Sequence, residues 1–272
     1  MERMSTATVE RGQREAWHTA YQRDGHITVR GLLAAAEVRE LLDTFMGLHA
    51  AGPIPHCFAP VPLAESGGDI LKAYPRMMHP HRVNATAQRY LLHPRIWEVL
   101  ESCLGEEPLA AQSMFYFKPP TARGQALHQD DYYLKTKPGK CVAAWVAVDP
   151  ADEENGGLAV VPGTQGLPIL CPHQADPVVS FTKDEVDLPE GLTPVPIPLA
   201  PGDVLFFNGT LAHGSFPNRS RDRFRRAFIC HYVPRSSTQI SQWYNPLLTR
   251  DGQEVVLPHN DWGGPCGEEQ DL

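Results

Sequence analysis

The chain has 272 residues, a net charge of −8, 42% hydrophobic and 21% charged residues. That is enough for one large β-rich domain with a sizeable core. The acidic balance argues against a nucleic-acid partner, which needs a concentrated cationic face, and no apolar run approaches the roughly 20 residues that cross a bilayer. The opening MERMSTATVERGQ is charged and lacks an apolar segment, so no secretory signal is expected and the chain reads as cytoplasmic. The six cysteines (57, 103, 141, 171, 230, 266) form no CxxC pair, which speaks against a zinc ribbon, and in a reducing compartment they would be buried or free.

In chain order, residues 8–23 and 34–49 carry apolar positions at helical spacing without internal Pro or Gly. Residues 52–80 are rich in Pro and Gly and read as a long irregular lid. A second helical pair follows over 84–92 and 94–104, with Pro94 at a start and Gly105 just past an end. From Gln112 the character changes. Residues 112–118, 141–149, 158–161, 195–199, 203–207 and 225–233 are short, β-branched or aromatic and bounded by turn residues, including Asn155-Gly156-Gly157 and Asn208-Gly209. Many short strands with Gly/Pro turns predict a mainly β sandwich or barrel with helices packed at one end. With no repeat or linker, residues 1–272 are expected to form a single domain. Residues 1–110 would be a helical flank and lid, 111–235 a jelly-roll core and 236–272 a C-terminal tail.

His128-Gln129-Asp130 is the leading candidate for chemistry. If the triplet is extended, His128 and Asp130 share a face, because strand side chains alternate. Asp131 would then face away. His213, after the 203–207 strand and the Asn208-Gly209 turn, is the natural third ligand. Two imidazoles and one carboxylate on one face of a metal leave the opposite positions open, as an iron(II) oxygenase requires. A second His-x-Asp, His259-Asn260-Asp261, has no histidine after it, and His79-Pro80-His81 has no acidic companion. Arginines 221, 223, 225 and 226 follow His213; one of them could grip a carboxylate bidentately, while the rest form a solvated basic edge.

The segments QSMFYFKPP, HQD, VAAWVAVD, ENGGLAVVPGTQ, PGDVLFFNGTLAHGS and NRSRDRFRRAFICHYVP resemble, in order and spacing, the phytanoyl-CoA dioxygenase family of iron(II)/2-oxoglutarate oxygenases. The similarity runs from Gln112 to Val233, with weaker likeness in the N-terminal helices. It implies a double-stranded β-helix, a cupin-like jelly roll flanked by helices. It implies Fe(II), 2-oxoglutarate and O2 as cofactors, with His128, Asp130 and His213 as catalytic metal ligands. The distal carboxylate of 2-oxoglutarate would be held by Arg225, although one extra residue after His213 keeps Arg223 and Arg226 open. Ser215, Trp145, Gln112 and, in a less similar region, Lys72 match further cosubstrate-binding positions. The implied reaction hydroxylates a small metabolite or natural-product intermediate and releases succinate and CO2. Desaturation, cyclisation and epimerisation stay open, and the presence of Asp130 disfavours halogenation. No Gly-rich phosphate cradle or spare basic cluster points to an acyl-CoA. A small-molecule substrate is expected, without nucleic acid or membrane; the oligomeric state is not indicated. Residues 53–78, 167–192 and the stretch around Trp243 and Tyr244 are the candidate substrate walls, with Tyr132 and Tyr133. Competing readings are a jelly-roll metal-binding protein without oxygenase activity and a zinc hydrolase using Asp131 as base.

Overall fold

The computed structural model describes residues 11–260. Helix α1 (Arg11–Asp24) leads into strand β1 (His26–Val29) and helix α2 (Ala35–Ala51). The irregular stretch that follows contains only the short helix α3 (Ile70–Ala73) and strand β2 (Met77–Met78), apart from single 3-10 turns. Helices α4 (Ala85–Leu91) and α5 (Pro94–Leu104) come next. Asn84 caps α4 by accepting the Ala87 N–H at 2.9 Å. Pro94 opens α5 and Gly105 closes it at φ 74°, a left-handed conformation that favours glycine.

The rest is strand. β3 (Pro108–Tyr116), β4 (Gln125–His128), the one-turn helix α6 (Asp131–Leu134), β5 (Val142–Ala147) and β6 (Leu158–Val160) precede the two-residue strands β7 (His173–Gln174) and β8 (Asp184–Glu185). β9 (Val195–Ile197), β10 (Val204–Asn208), β11 (His213–Ser215), β12 (Ala227–Pro234), β13 (Leu247–Leu248) and β14 (Glu254–Val255) are the remaining strands among the described residues. The large sheet runs β1-β10-β5-β12-β3-β13-β14 with β2 on β3; the small sheet runs β4-β11-β6-β9. All their named pairings are antiparallel. This is the jelly-roll double-stranded β-helix that the resemblance implies.

Burial parity explains the architecture. Every residue of β5 is buried, because both faces of the large sheet are covered. Val142, Ala144 and Val146 join Phe206, Phe228 and the helices in one core; Ala143, Trp145 and Ala147 face the small sheet with Leu158, Val160, Leu205 and Ile229. On α2, Val38, Leu41 and Phe45 are buried at helical spacing, and the Phe45 ring stacks on Phe115 of β3 at 4.0 Å. Burying such a ring contributes roughly 1.5–3 kcal/mol. The helices therefore back the large sheet and leave its inner face to the site.

One sequence expectation needs correction here, and others lie partly outside the described residues. Cys171 is disulfide-bonded rather than free, whereas Cys57, Cys103, Cys141 and Cys230 are free and buried. The helix expected over 8–23 is described from Arg11, and residues 8–10, Asp261 and Cys266 lie outside the described residues. Among the described residues no helix is long and apolar enough to cross a membrane.

Candidate metal centre and its cavity

β4 pairs antiparallel with β11 so that His128 lies directly opposite His213. Opposed side chains on one face of a sheet meet, and the two rings stand 4.2 Å apart. Asp130 arrives differently from the extended reading. β4 ends at His128, and Asp130 takes helical angles (φ −65°, ψ −33°) at the start of α6. The chain bend, not strand alternation, swings its carboxylate back to the histidines. His128 Nε2 lies 3.6 Å from Asp130 Oδ1, and His213 Nε2 3.7 Å from Asp130 Oδ2. One donor atom from each of the three side chains falls within 4.8 Å of the others, and all three residues are buried.

The surroundings hold this geometry. The Nδ1 atoms of His128 and His213 donate to the carbonyls of Ala126 (2.9 Å) and Leu211 (3.0 Å). A carbonyl only accepts, so each Nε2 carries a lone pair, and that of His128 faces the donating side-chain amide of Gln125 at 3.1 Å. Gln129, the middle residue of the triplet, points away; its amide donates to the Thr210 carbonyl at 2.7 Å and accepts the Leu170 N–H at 2.6 Å. Asp131 donates its N–H to the Gly209 carbonyl at 3.0 Å and accepts the Cys141 N–H at 2.8 Å. Gly209 is required for close approach: a Cβ there would fall 2.4 Å from Cys141 Sγ and 2.6 Å from Asp131 Cγ.

Electrostatics matches a divalent cation. Burial pushes the His128 imidazole down to about 3, assisted by His213, so it is neutral. Burial alone would raise the Asp130 carboxyl, but His213, His231 and His128 hold it well below the usual carboxylate range. The donor set is therefore two imidazoles and one anion, which fits iron(II).

The triad opens into a cavity of about 420 Å³. Trp145, Gln112, Ser215 and Arg225 all line it. Gln112, which as an isolated strand residue reads as surface, is buried on the inner face of β3 opposite His231. The three candidate arginines separate by their partners. Arg223 is paired with Asp152 (2.7 Å) and Glu154 (2.6 Å), and Arg226 with Asp149 (2.7 Å). Arg225 is buried, with its guanidinium carbon 5.3 Å from the Trp145 ring centre and its Nε donating to the Gly156 carbonyl at 2.9 Å. Burial lowers its pKa to about 10, so it remains a cation at neutral pH.

Lys72 is not brought to the cavity: it is exposed on α3. Arg76, four residues on, lines the cavity instead. Tyr133 and Tyr244 line it, whereas Trp243 is 71% exposed. Asp131, the base that a zinc hydrolase would need, is engaged by Cys141 and does not line the cavity. Two buried residues were not anticipated. His231 donates from Nε2 to Asp130 Oδ2 at 3.0 Å. Lys118 donates from Nζ to Ser215 Oγ at 2.8 Å, and burial, with Arg225 nearby, pushes its pKa well down. Strand parity could have found His231, since Ala227 and Ile229 of the same strand face inward; Lys118 carried no such signal.

The phytanoyl-CoA dioxygenase profile matches residues 21–227. Peroxisomal phytanoyl-CoA dioxygenase of Bos taurus is 34% identical over 154 residues, covering 53% of this chain and 45% of that protein. The Rattus norvegicus counterpart is 27% identical over 224 residues, covering 78% of this chain and 66% of that protein. The chain thus spans about half to two thirds of the length of these relatives. A crystal structure of the epimerase SnoN in complex with Fe3+, alpha ketoglutarate and nogalamycin RO superposes with a TM-score of 0.67 at 22% identity, covering 84% of this chain and 86% of that one.

Proposed function

Because the chain belongs to the phytanoyl-CoA dioxygenase family, we propose that it is an iron(II)- and 2-oxoglutarate-dependent dioxygenase that hydroxylates a small metabolite or natural-product intermediate. The observation that carries this reading is the triad of His128, Asp130 and His213 opening into the same cavity as the buried Arg225. His128, Asp130 and His213 would hold the iron, leaving the remaining positions for 2-oxoglutarate and O2. The bound metal and cosubstrate supply the C–H-oxidising chemistry, with succinate and CO2 as products.

The chain's own residues do the positioning. Arg225 offers a planar fork to the distal carboxylate of 2-oxoglutarate, a match that lysine cannot reproduce. Ser215 lies on the same cavity wall and adds a hydroxyl, oriented by Lys118. Trp145 forms the flat wall under Arg225. Gln112 presents an amide to the cavity from the inner face of β3. The buried walls around the triad exclude water, which strengthens each of these polar contacts. A natural-product substrate is supported by the likeness to SnoN, described as an alpha ketoglutarate dependent epimerase from nogalamycin biosynthesis.

The test is direct. Purified protein mixed anaerobically with iron(II) and 2-oxoglutarate should develop a weak visible charge-transfer band and form succinate once O2 is admitted. Asp130→Ala should remove both. Absence of band and succinate with Arg225 intact would overturn the assignment.

A further inference from the structure

The connection between β6 and β9 forms one wall of the cavity, and its backbone is docked on the strand that carries His128. The Phe181 N–H donates to the Gly124 carbonyl at 3.0 Å, and the Val186 N–H donates to the carbonyl of Leu127, the residue before the metal ligand, at 2.9 Å. Asp184 lies between these two bonds and lines the cavity. The Lys183 carbonyl also accepts the Ala175 N–H at 2.7 Å, and β7 pairs with β8, so the segment is held along its length.

Asp130 and Asp184 are the two carboxylates that line this cavity. Asp130 is held among the histidines. Asp184 forms no ion pair among the described residues, and its side chain has one hydrogen bond there, from the Tyr133 hydroxyl to Oδ2 at 2.8 Å. Tyr133 follows Asp130 by one turn of α6, with its N–H on the Asp130 carbonyl at 3.0 Å and its ring 6.1 Å from the His128 ring. Burial, and then the Asp184 carboxylate, push the Tyr133 phenol up, so it stays protonated and donates. Oδ2 of Asp184 is thus engaged from the metal side, and Oδ1 keeps its acceptor capacity unused.

We propose that Asp184, held by Tyr133, is a specificity-determining residue that accepts a hydroxyl of the primary substrate, so that the cavity selects a neutral, hydroxyl-bearing molecule with an apolar body. The inference deepens the oxygenase reading and rests on it. A carboxylate only accepts, so the group it reads must be a donor. Net charge decides between a hydroxyl and an ammonium. The charged side chains lining the cavity are three cations, Arg76, Lys183 and Arg225, against the two carboxylates. A divalent metal and a dianionic cosubstrate cancel, so an ammonium would enter a cavity that is already positive. A hydroxyl avoids that repulsion, and its hydrogen bond to an ionised acceptor is about twice as strong as one between neutral groups. The walls suit an apolar body: the Phe181 ring lies 6.0 Å from that of Tyr116, and Leu134 and Leu158 line the same space. The span to the metal is short, because a single phenol stands between Asp184 and the His128 ring.

The test is anaerobic calorimetry on the protein loaded with iron(II) and 2-oxoglutarate, with the charge-transfer band as a check that the cosubstrate is seated. 2-Naphthylmethanol and cyclohexylmethanol are each compared with their methyl ether and with the corresponding primary amine, a cation at neutral pH. At least one alcohol should bind about tenfold or more tightly than its ether and than its amine, the size of one hydrogen bond to a charged group. Asp184→Ala should erase the preference over the ether, and Asp184→Asn should keep part of it, since an amide oxygen still accepts. Tyr133→Phe should reduce the same ratio, which a loss of stability alone would not move, and it serves as a second reading if Asp184→Ala does not fold. The proposal is overturned if no alcohol outbinds its ether, if the preference survives Asp184→Ala or Tyr133→Phe undiminished, if the amine binds more tightly than the alcohol, or if the alcohol displaces 2-oxoglutarate and abolishes the band. If the band never forms, the oxygenase reading fails on its own, and the same alcohol–ether comparison on the metal-free protein decides the Asp184 site.

Discussion

His231 Nε2 stands 3.0 Å from Asp130 Oδ2, so a buried histidine of the large sheet holds the carboxylate that the small-sheet histidines need. The bond fixes one Asp130 oxygen and its charge. Partners that orient a metal ligand typically account for a ten- to hundredfold difference in affinity. His231→Ala should therefore weaken iron(II) binding by about that factor while His128 and His213 stay in place, and His231→Gln should recover part of the loss. Competition with a chromogenic chelator measures it; unchanged iron affinity in the alanine variant would show that the bond has no positioning role.

Arg225 and Arg223 should behave oppositely despite being neighbours. Removing one partner of a buried charge pair costs about 2–5 kcal/mol, so Arg225→Gln should raise the KM for 2-oxoglutarate by at least about thirtyfold. Arg225→Lys should do little better, because it lacks the fork. Arg223 sits in a partly exposed ion pair with Asp152 and Glu154. Arg223→Ala should leave that KM alone and shift stability by less than about 1 kcal/mol. A titration of succinate formation against 2-oxoglutarate would separate the two.

Gly209 sets the distance between the ligand loop and β5. Gly209→Ala forces a Cβ against Cys141 and Asp131, and overpacking of this kind costs about 1–3 kcal/mol. Because Asp131 adjoins Asp130, the same change should reduce iron affinity together with stability. Denaturant unfolding and iron titration of one preparation would show whether the two losses go together.

Acid should loosen the α2–α5 contact. Burial by itself would raise the Glu37 carboxyl, but bonds from the Ala34 N–H, His93 and Arg95 bring it below its ordinary 4.5. A carboxyl depressed in the fold stabilises the protein above its unfolded value and ceases to as pH falls through the folded one. Burial also pushes His93 below its ordinary 6.5, so the unfolded chain takes up that proton more readily. Both contributions have the same sign. Unfolding free energy should start to fall below about pH 6.5 and fall more steeply below pH 4.5. Glu37→Gln should flatten the lower part of that curve in urea titrations.

The legible parts of the site are those that obey a local rule. His128 and His213 each sit beside a turn, and the order of triplet, tryptophan strand, Asn-Gly-Gly turn and second histidine is readable along the chain. Gln112 and Trp145 reach the cavity because side chains on a strand alternate. The choice among the arginines was not readable, since it depends on acids 69 to 77 positions away: Glu154 and Asp152 claim Arg223, and Asp149 claims Arg226. Asp130 is brought beside the two histidines by something the extended reading did not contain, a bend into α6 that packs on the distant Gly209 turn. Lys72 and Arg76 exchanged importance because the stretch around them has no period to show which side chain turns inward.

His128 and His213 are carried by strands β4 and β11, and Asp130 and Arg225 by turns beside strands, whereas Phe181, Lys183 and Asp184 line the cavity from the connection between β6 and β9. Grafting residues 167–192 from one relative onto another should change which molecule is accepted without retuning the metal site, a modularity that would let one scaffold diversify across many small molecules and let an engineer do the same.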